Sequence, residues 1–200
     1  VLMSARSRSG WGLTAPSITD ERIVPSDELP AVVAAIGRRG AIARGLGRSY
    51  GDSAQNGGGT TIRVAERDVV VEAERGVVTA AAGASLDELL HHLVPAGFFV
   101  PVSPGTRYVT VGGAIASDIH GKNHHVDGTF GNHVESLTLQ LADGSVVEIG
   151  PQRDPELFWA TIGGMGLTGI IVAATFRVLP IETSWCSVDT ERIADLDHLL

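Results

Sequence analysis

Four stretches of this sequence concentrate the residue types from which a ligand site could be made. The first is Ala43-Arg44-Gly45-Leu46-Gly47-Arg48-Ser49-Tyr50-Gly51-Asp52. Its closely spaced glycines let backbone N–H groups turn toward one point with no Cβ in the way. Such a concavity suits a diphosphate, which the Ser49 hydroxyl could also bind. A tight surface loop joining two strands fits the same residues. The strand, GxGxxG and helix setting of a dinucleotide fold is lacking, and no Gly-Lys-Ser/Thr is present for a Walker A loop.

The second stretch is Pro104-Gly105-Thr106 followed by Thr110-Val111-Gly112-Gly113-Ala114-Ile115-Ala116-Ser117. Small residues at this density, leading into a helix start, allow a planar or phosphorylated ligand to come close. They equally allow a helix to pack tightly on a sheet. The third, Asp118-Ile119-His120-Gly121-Lys122-Asn123-His124-His125, holds three of the seven histidines and the only lysine of the chain, with His133 close behind. Its spacing matches no zinc signature and no cysteine is near, so no metal is expected. It reads as a polar loop, or as a site where His120 and Lys122 present donors to an electron-accepting ring. In the fourth, Leu157 to Ile171, Phe158 and Trp159 read as core anchors, and the glycines from Gly163 to Gly169 would let the Ile170-Ile171 backbone line a ligand edge. Together the stretches point to separate small-residue loops converging on one long, flat, diphosphate-bearing ligand.

The elements that would position these loops are mixed in order. Residues 1–20 read as an irregular lead-in, with a short strand at Ile23-Val24. Ser26 as N-cap and Leu29, Val32, Val33 and Ile36 at helical spacing predict a helix over 27–38. Strands are expected at 41–43, 60–64, 69–73, 77–81 and 98–100. Ser85-Leu86-Asp87-Glu88 is a capping box opening a helix with Leu86, Leu89, Leu90 and Leu93 on one face. Residues 101–133 form a long Gly/Pro/His-rich stretch. Leu137, Leu139 and Leu141 alternate with polar residues, and a type I′ turn at Asp143-Gly144 returns the chain through 146–149. Asp154-Pro155 opens a helix, and 170–179 is a last long strand. This order predicts an α+β fold. The tail, Asp189–Leu200, opens a fresh helix, so the chain is expected to be the N-terminal part of something longer.

Composition bounds the function. With 15 basic against 23 acidic residues the net charge is −8, the opposite of what duplex binding needs, so no nucleic-acid partner is expected. Cys186 is the single cysteine and forms no internal disulfide. No run approaches a membrane span and no apolar stretch follows the early arginines, so neither a span nor a cleavable signal is expected. The expected location is cytoplasmic or associated with the cell envelope, on its periplasmic face or near a membrane surface.

Taken in order, these strings resemble the FAD-binding domain of the vanillyl-alcohol-oxidase/PCMH superfamily, and within it the branch that oxidises decaprenylphosphoryl-β-D-ribose. The resemblance also rests on Gly10-Trp11-Gly12 with Thr14-Ala15-Pro16, on Ala54-Gln55-Asn56-Gly57-Gly58-Gly59, on Pro104-Gly105-Thr106-Arg107 and on Phe130-Gly131-Asn132-His133-Val134. It implies two α+β subdomains with FAD between them. It implies that Ala43, Arg44, Gly45, Leu46, Gly47, Arg48, Ser49, Tyr50, Gly51, Asp52 and Ser53 hold the cofactor. Gly105, Thr110, Val111, Gly112, Gly113, Ser117, Asp118, Ile119, His120 and Ile171 join them. Tyr50, His120 and Lys122 match positions on the substrate side of the flavin. Many relatives attach FAD through a histidine in a GxxHS-like loop; here Arg48 precedes Ser49, so non-covalent FAD is expected. The implied reaction is oxidation of the 2′-hydroxyl of a lipid-linked ribose by hydride transfer, with a separate NADH-dependent keto-reductase as partner in cell-wall arabinan synthesis. A sugar-lactone or alditol oxidase of the same superfamily, and a non-catalytic flavin-binding module, are the alternatives. The implied boundaries are 1–180 for the FAD-binding domain and 181–200 for the start of a substrate-binding domain.

Overall fold

The computed structural model describes residues 2–13 and 15–199; Thr14 and Leu200, quoted above, lie outside the described residues. The N-terminal lobe contains β1 (Leu2–Arg8), β2 (Ser17–Val24), α1 (Leu29–Ala34), β3 (Ala41–Ala43) and β4 (Thr60–Val64). Its sheet runs β1-β2-β4-β3, with β1 antiparallel to β2 and β4 parallel to both its neighbours. The second lobe contains β5 (Val69–Glu72), β6 (Val77–Ala81), α2 (Leu86–Leu93), β7 (Phe98–Phe99), α3 (Val111–Ala116) and α4 (His124–Asp127). It continues through β8 (Val134–Gln140), β9 (Val146–Ile149), α5 (Pro155–Thr161), β10 (Ile170–Arg177) and β11 (Leu179–Pro180). Its five-stranded sheet runs β5-β6-β10-β8-β9, antiparallel throughout. A short α6 (Leu196–Leu199) lies in the exposed tail. Two sheets with helices set beside them make the fold α+β, as expected.

The lead-in is where expectation and structure part most. Residues 2–24 form a hairpin, and the reason the sequence hides it is the inward face of β2. There Thr19 and Glu21 are buried while Ile18 and Ile23 are exposed. Glu21 is tolerated inside because Arg8 holds it in a bidentate pair, Nε to Oε2 at 2.6 Å and Nη2 to Oε1 at 2.5 Å, the fork geometry that best compensates a desolvated carboxylate. Thr19 donates to the Gly59 carbonyl at 3.1 Å. The Arg8 hydrogen bonds hold the Glu21 carboxyl below its ordinary value of 4.5. A depressed carboxylate contributes stability above the unfolded value and loses it as pH falls through the folded value. Wild type is therefore expected to weaken in urea below about pH 4.5. Glu21→Gln, about 2 kcal/mol less stable at pH 7, should lack that component of the acid loss. Identical acid profiles for the two proteins would show the pair to be inert.

Two apolar cores result. Val24, Leu29, Val32, Ile62 and Val64 form the smaller; the larger gathers Leu86, Leu89, Leu93, Phe130, Leu137, Leu139, Phe158 and Phe176 among others. β10 serves both: Ile170 and Val172 pack into the small core, Ile171, Ala174 and Phe176 into the large one. Each of the three fully buried leucines of α2 contributes roughly 1.5–3 kcal/mol relative to exposure. Their helix begins at the expected box, with the Ser85 hydroxyl accepting from Glu88 N–H at 3.1 Å and the Glu88 carboxylate accepting from Ser85 N–H at 2.7 Å.

Four local expectations are corrected. α1 is shorter than 27–38 and is not capped by Ser26, because that hydroxyl and N–H both donate to the Glu66 carboxylate, at 2.9 and 2.6 Å. The β8–β9 turn is not type I′: its positive φ falls at Gly144 (+90°) and not at Asp143, whose carboxylate instead accepts from Ser145 N–H and hydroxyl. The strand expected over 170–179 ends at Arg177, and Leu179-Pro180 pairs with Phe98-Phe99, a ribbon that also ends the strand expected over 98–100. Within 101–133 the helix start expected after Thr110 is present as α3, and the stretch also contains α4 and a 3₁₀ turn over 130–133. No helix among the described residues is long and apolar enough to cross a membrane.

Candidate functional site

The two lobes meet along a groove with two connected parts. The inner part, about 70 Å³, runs between Ala43, Arg44, Ile62 and Val64 of the first lobe and Ala82, Gly112, Ala116 and Ile171 of the second. The outer part, about 420 Å³, is walled by residues 45–51 with Ser53 on one side and by Pro104, Thr106, Val109, Ser117 and Ile119 on the other. Gly45, Thr110, Gly113 and Met165 line both. Glycine-rich segments far apart in sequence thus come together, as the residue types require.

Close approach explains several glycines. A Cβ on Gly45 would lie 2.4 Å from Thr110 Oγ1, the hydroxyl that caps α3 by accepting from Gly113 N–H at 3.1 Å. A Cβ on Gly112 would sit 3.0 Å from that of Ala82, where Gly112 N–H donates to the Ala82 carbonyl. A Cβ on Gly83 would meet the Val64 and Glu66 carbonyl oxygens at 2.5 and 2.6 Å, so the lobes touch backbone to backbone at the inner end.

The outer wall has a property that points to a ligand. Among the described residues, no backbone N–H from Gly45 to Ser53 donates to an acceptor in the protein. The loop is half-buried to exposed, so these donors are open to water or to a ligand, and successive free N–H groups in a turn can form an anion-binding concavity. Charge agrees: Arg44, Arg63 and Arg67 line the inner part, and no acidic side chain among the described residues lines either part. Arg44 is fixed by donating to the Ala54 and Ser9 carbonyls, each at 2.8 Å; burial, reinforced by the nearby Arg8, lowers its guanidinium from the ordinary value. A long anionic ligand fits this groove.

The expected site residues divide into two sets. Ala43, Arg44, Gly45, Leu46, Gly47, Arg48, Ser49, Tyr50, Gly51, Ser53, Thr110, Gly112, Gly113, Ser117, Ile119 and Ile171 line the groove. Asp52, Gly105, Val111, Asp118, His120 and Lys122 do not. Val111 is buried, and its N–H is used by the Ala84 carbonyl. Asp118, at φ +42°, accepts from Gly131 N–H and so anchors the 3₁₀ turn. His120 and Lys122 are exposed beyond Ile119, and the His120 ring packs edge-on against His124 at 5.4 Å. No group of three or more His, Cys, Asp or Glu among the described residues could hold a metal ion. Ile62, Arg63, Val64, Arg67, Ala82 and Gly83 line the groove without having been expected. The signal for the last two was the run of small residues Ala80 to Ala84, which marks a close backbone approach.

Residues 25–150 match the family described as an FAD binding domain, more than half the chain. The chain belongs to this FAD-binding domain family. It is 48% identical over 200 residues to decaprenylphosphoryl-β-D-ribose oxidase of Mycolicibacterium smegmatis, an alignment covering 96% of this chain and 43% of that protein. It is 33% identical over 140 residues to L-gulonolactone oxidase of Mus musculus, covering 67% of this chain and 31% of that one. Over 145 residues it is 28% identical to a D-lactate dehydrogenase of Anaerostipes hadrus, covering 69% and 30%. The chain thus spans less than half the length of these curated relatives. These matches place the FAD-binding domain in the vanillyl-alcohol-oxidase/PCMH superfamily, with FAD as its cofactor.

Proposed function

We propose that this FAD-binding domain holds its cofactor non-covalently along the inter-lobe groove. In this reading it is the flavin part of an oxidase acting on the 2′-hydroxyl of a decaprenylphosphoryl ribose. The observation that carries the reading is the set of N–H groups from Gly45 to Ser53 that have no protein acceptor, in a groove with no acidic lining side chain, both among the described residues. The 48% identity over 96% of the chain supports the substrate class. Arg48, where covalent relatives of the superfamily carry a histidine, supports a non-covalent bond, because a guanidinium is protonated and a poor nucleophile.

When bound, FAD supplies an electron-accepting ring for the hydride lost from the alcohol carbon. The chain's own residues bind and orient. The 45–53 amides would hold diphosphate oxygens, with Arg44 and Arg63 adding charge at the inner end. Gly112, Gly113 and Ile171 would pack against flat surfaces. Tyr50, 75% exposed at the outer mouth, would lie against the incoming sugar. His120 and Lys122 follow directly on Ile119, a groove residue, and would present donors to the sugar oxygen as negative charge develops there. The base that takes the hydroxyl proton is assigned to a further domain beginning near residue 181. That boundary is supported by β11 ending at Pro180 and by the exposure of residues 182–199. The product, a keto sugar on a lipid carrier, calls for a separate NADH-dependent reductase. A sugar-lactone oxidase is the second reading, favoured by the likeness to the mouse enzyme.

The test is an absorption spectrum of purified protein before and after acid precipitation. The expected result is a yellow protein whose colour passes entirely into the supernatant. Colour retained in the pellet would overturn the non-covalent bond, and a colourless protein that takes up no added FAD would overturn the reading. Bleaching of the loaded protein by a polyprenyl-phosphate ribose, but not by an aldonolactone, decides between the two oxidases.

A further inference from the structure

Residues 45–51 and Ser53 wall the outer groove, and a loop whose N–H groups find no protein acceptor needs something else to hold its shape. It is gripped by the β1–β2 connection, through Ser9 to Trp11 and Ala15. Trp11 N–H donates to the Ser49 carbonyl at 2.7 Å. A Cβ on Gly10 would lie 2.1 Å from the Gly51 carbonyl oxygen and within 2.8 Å of those of Ser49 and Tyr50, so this glycine lets two backbones touch. Arg44 reaches back to the Ser9 carbonyl. The Gln55 amide lies against the Arg8 and Ala15 carbonyls and Gly10 N–H; assigned with its oxygen toward Gly10 N–H at 3.1 Å, the orientation that satisfies both ends, it donates to the two carbonyls at 2.9 and 3.2 Å. The Arg48 guanidinium lies 4.3 Å over the Trp11 ring, while its Nε donates to the Tyr108 carbonyl at 3.1 Å. Arg48 therefore ties the connection, the cofactor loop and the opposite wall together.

We propose that the β1–β2 connection is a clasp setting the shape of the cofactor loop from outside, with Trp11 a positioning residue that acts on FAD through Arg48. Trp11 is not among the groove residues and is 52% exposed, so burial alone gives little reason for an aromatic ring here. Cation–π attraction needs an electron-rich ring face, and tryptophan offers the best of them. Holding a loop in its binding shape before the ligand arrives removes an ordering cost from the binding step. The inference rests on the FAD reading above but makes one demand that is independent of it.

The experiment uses the 200-residue chain stripped of flavin, as wild type, Trp11→Ala, Trp11→Phe and the distant control Trp185→Ala. FAD titration should give a dissociation constant about tenfold weaker for Trp11→Ala, equivalent to about 1.4 kcal/mol. Trp11→Phe should lose about threefold, since phenylalanine keeps a weaker ring face. Trp185→Ala should bind as wild type. Melting temperatures without flavin should differ by less than about 3 °C, because the clasp shapes a loop rather than the cores. Without any flavin, trypsin should cut after Arg48 about tenfold faster in Trp11→Ala, in proportion to the open population. Wild-type affinity and wild-type cleavage in Trp11→Ala would overturn the clasp. So would equal losses in the Ala and Phe variants accompanied by a large fall in the flavin-free melting temperature, which would mark Trp11 as structural. Faster cleavage in a chain that binds no FAD would uphold the clasp and overturn the flavin reading instead.

Discussion

Gly45→Val is expected to weaken FAD binding by at least about a hundredfold, about 2.7 kcal/mol, while the flavin-free chain melts within a few degrees of wild type. The new Cβ would fall 2.4 Å from Thr110 Oγ1. That hydroxyl cannot swing aside cheaply, because Thr110 is 5% exposed and its oxygen caps α3 through Gly113 N–H. The loop must move instead. Gly45, Thr110 and Gly113 all line the junction between the two parts of the groove, so displacement blocks the passage a long dinucleotide has to thread. Neither apolar core contains these residues, which is why the fold should survive. Titration of the stripped variant with FAD reads the loss, and an affinity within threefold of wild type would show that the cofactor takes another path.

Gly83→Ala is expected to act on the fold itself, lowering stability by about 3 kcal/mol as read from the urea midpoint at unchanged slope. Its Cβ would press on two backbone carbonyls, Val64 at 2.5 Å and Glu66 at 2.6 Å, and backbone carbonyls cannot rotate away as a side-chain tip can. The strain has to be relieved by parting β4 from the β6 end of the second lobe. The inner groove widens as it does so, and FAD affinity should fall together with stability. A variant as stable as wild type would mean that the lobes do not bear on each other at this point.

The sequence reading succeeded wherever the determinants are local. The Ser85–Glu88 box, the Asp154-Pro155 helix start and the alternation of Leu137, Leu139 and Leu141 each lie within a few residues, and the structure shows each element. It failed where a distant partner changes what a residue can do. Glu21 is legible as an inward residue only once Arg8 is known to sit across the hairpin. Ser26 is an N-cap by local rules and a Glu66 ligand in the fold. The glycines named the walls of the groove, because absence of a side chain is a property of the residue itself. The arginines at its inner end were silent, since Arg63 and Arg67 become groove residues only when β4 is laid against the second lobe. The clasp was unreadable for the same reason: Trp11 and Arg48 are far apart in sequence, and their ring-to-guanidinium contact and the Trp11–Ser49 backbone hydrogen bond are encoded by no spacing.

The double allegiance of β10 bears on how the molecule is made. This strand lies between β6 and β8 at the centre of the larger sheet and also sends Ile170 and Val172 into the smaller core. In the chain it follows β5, β6, β8 and β9. Until it arrives, β6 and β8 lack their shared partner and both cores are open on one side, so the nascent chain must keep apolar edges apart until residues 170–177 are made. Closure of that kind is slow, because pairings distant along the chain must form before they reward the entropy spent on them. The interval before closure is when such a chain is most exposed to aggregation and most dependent on chaperones.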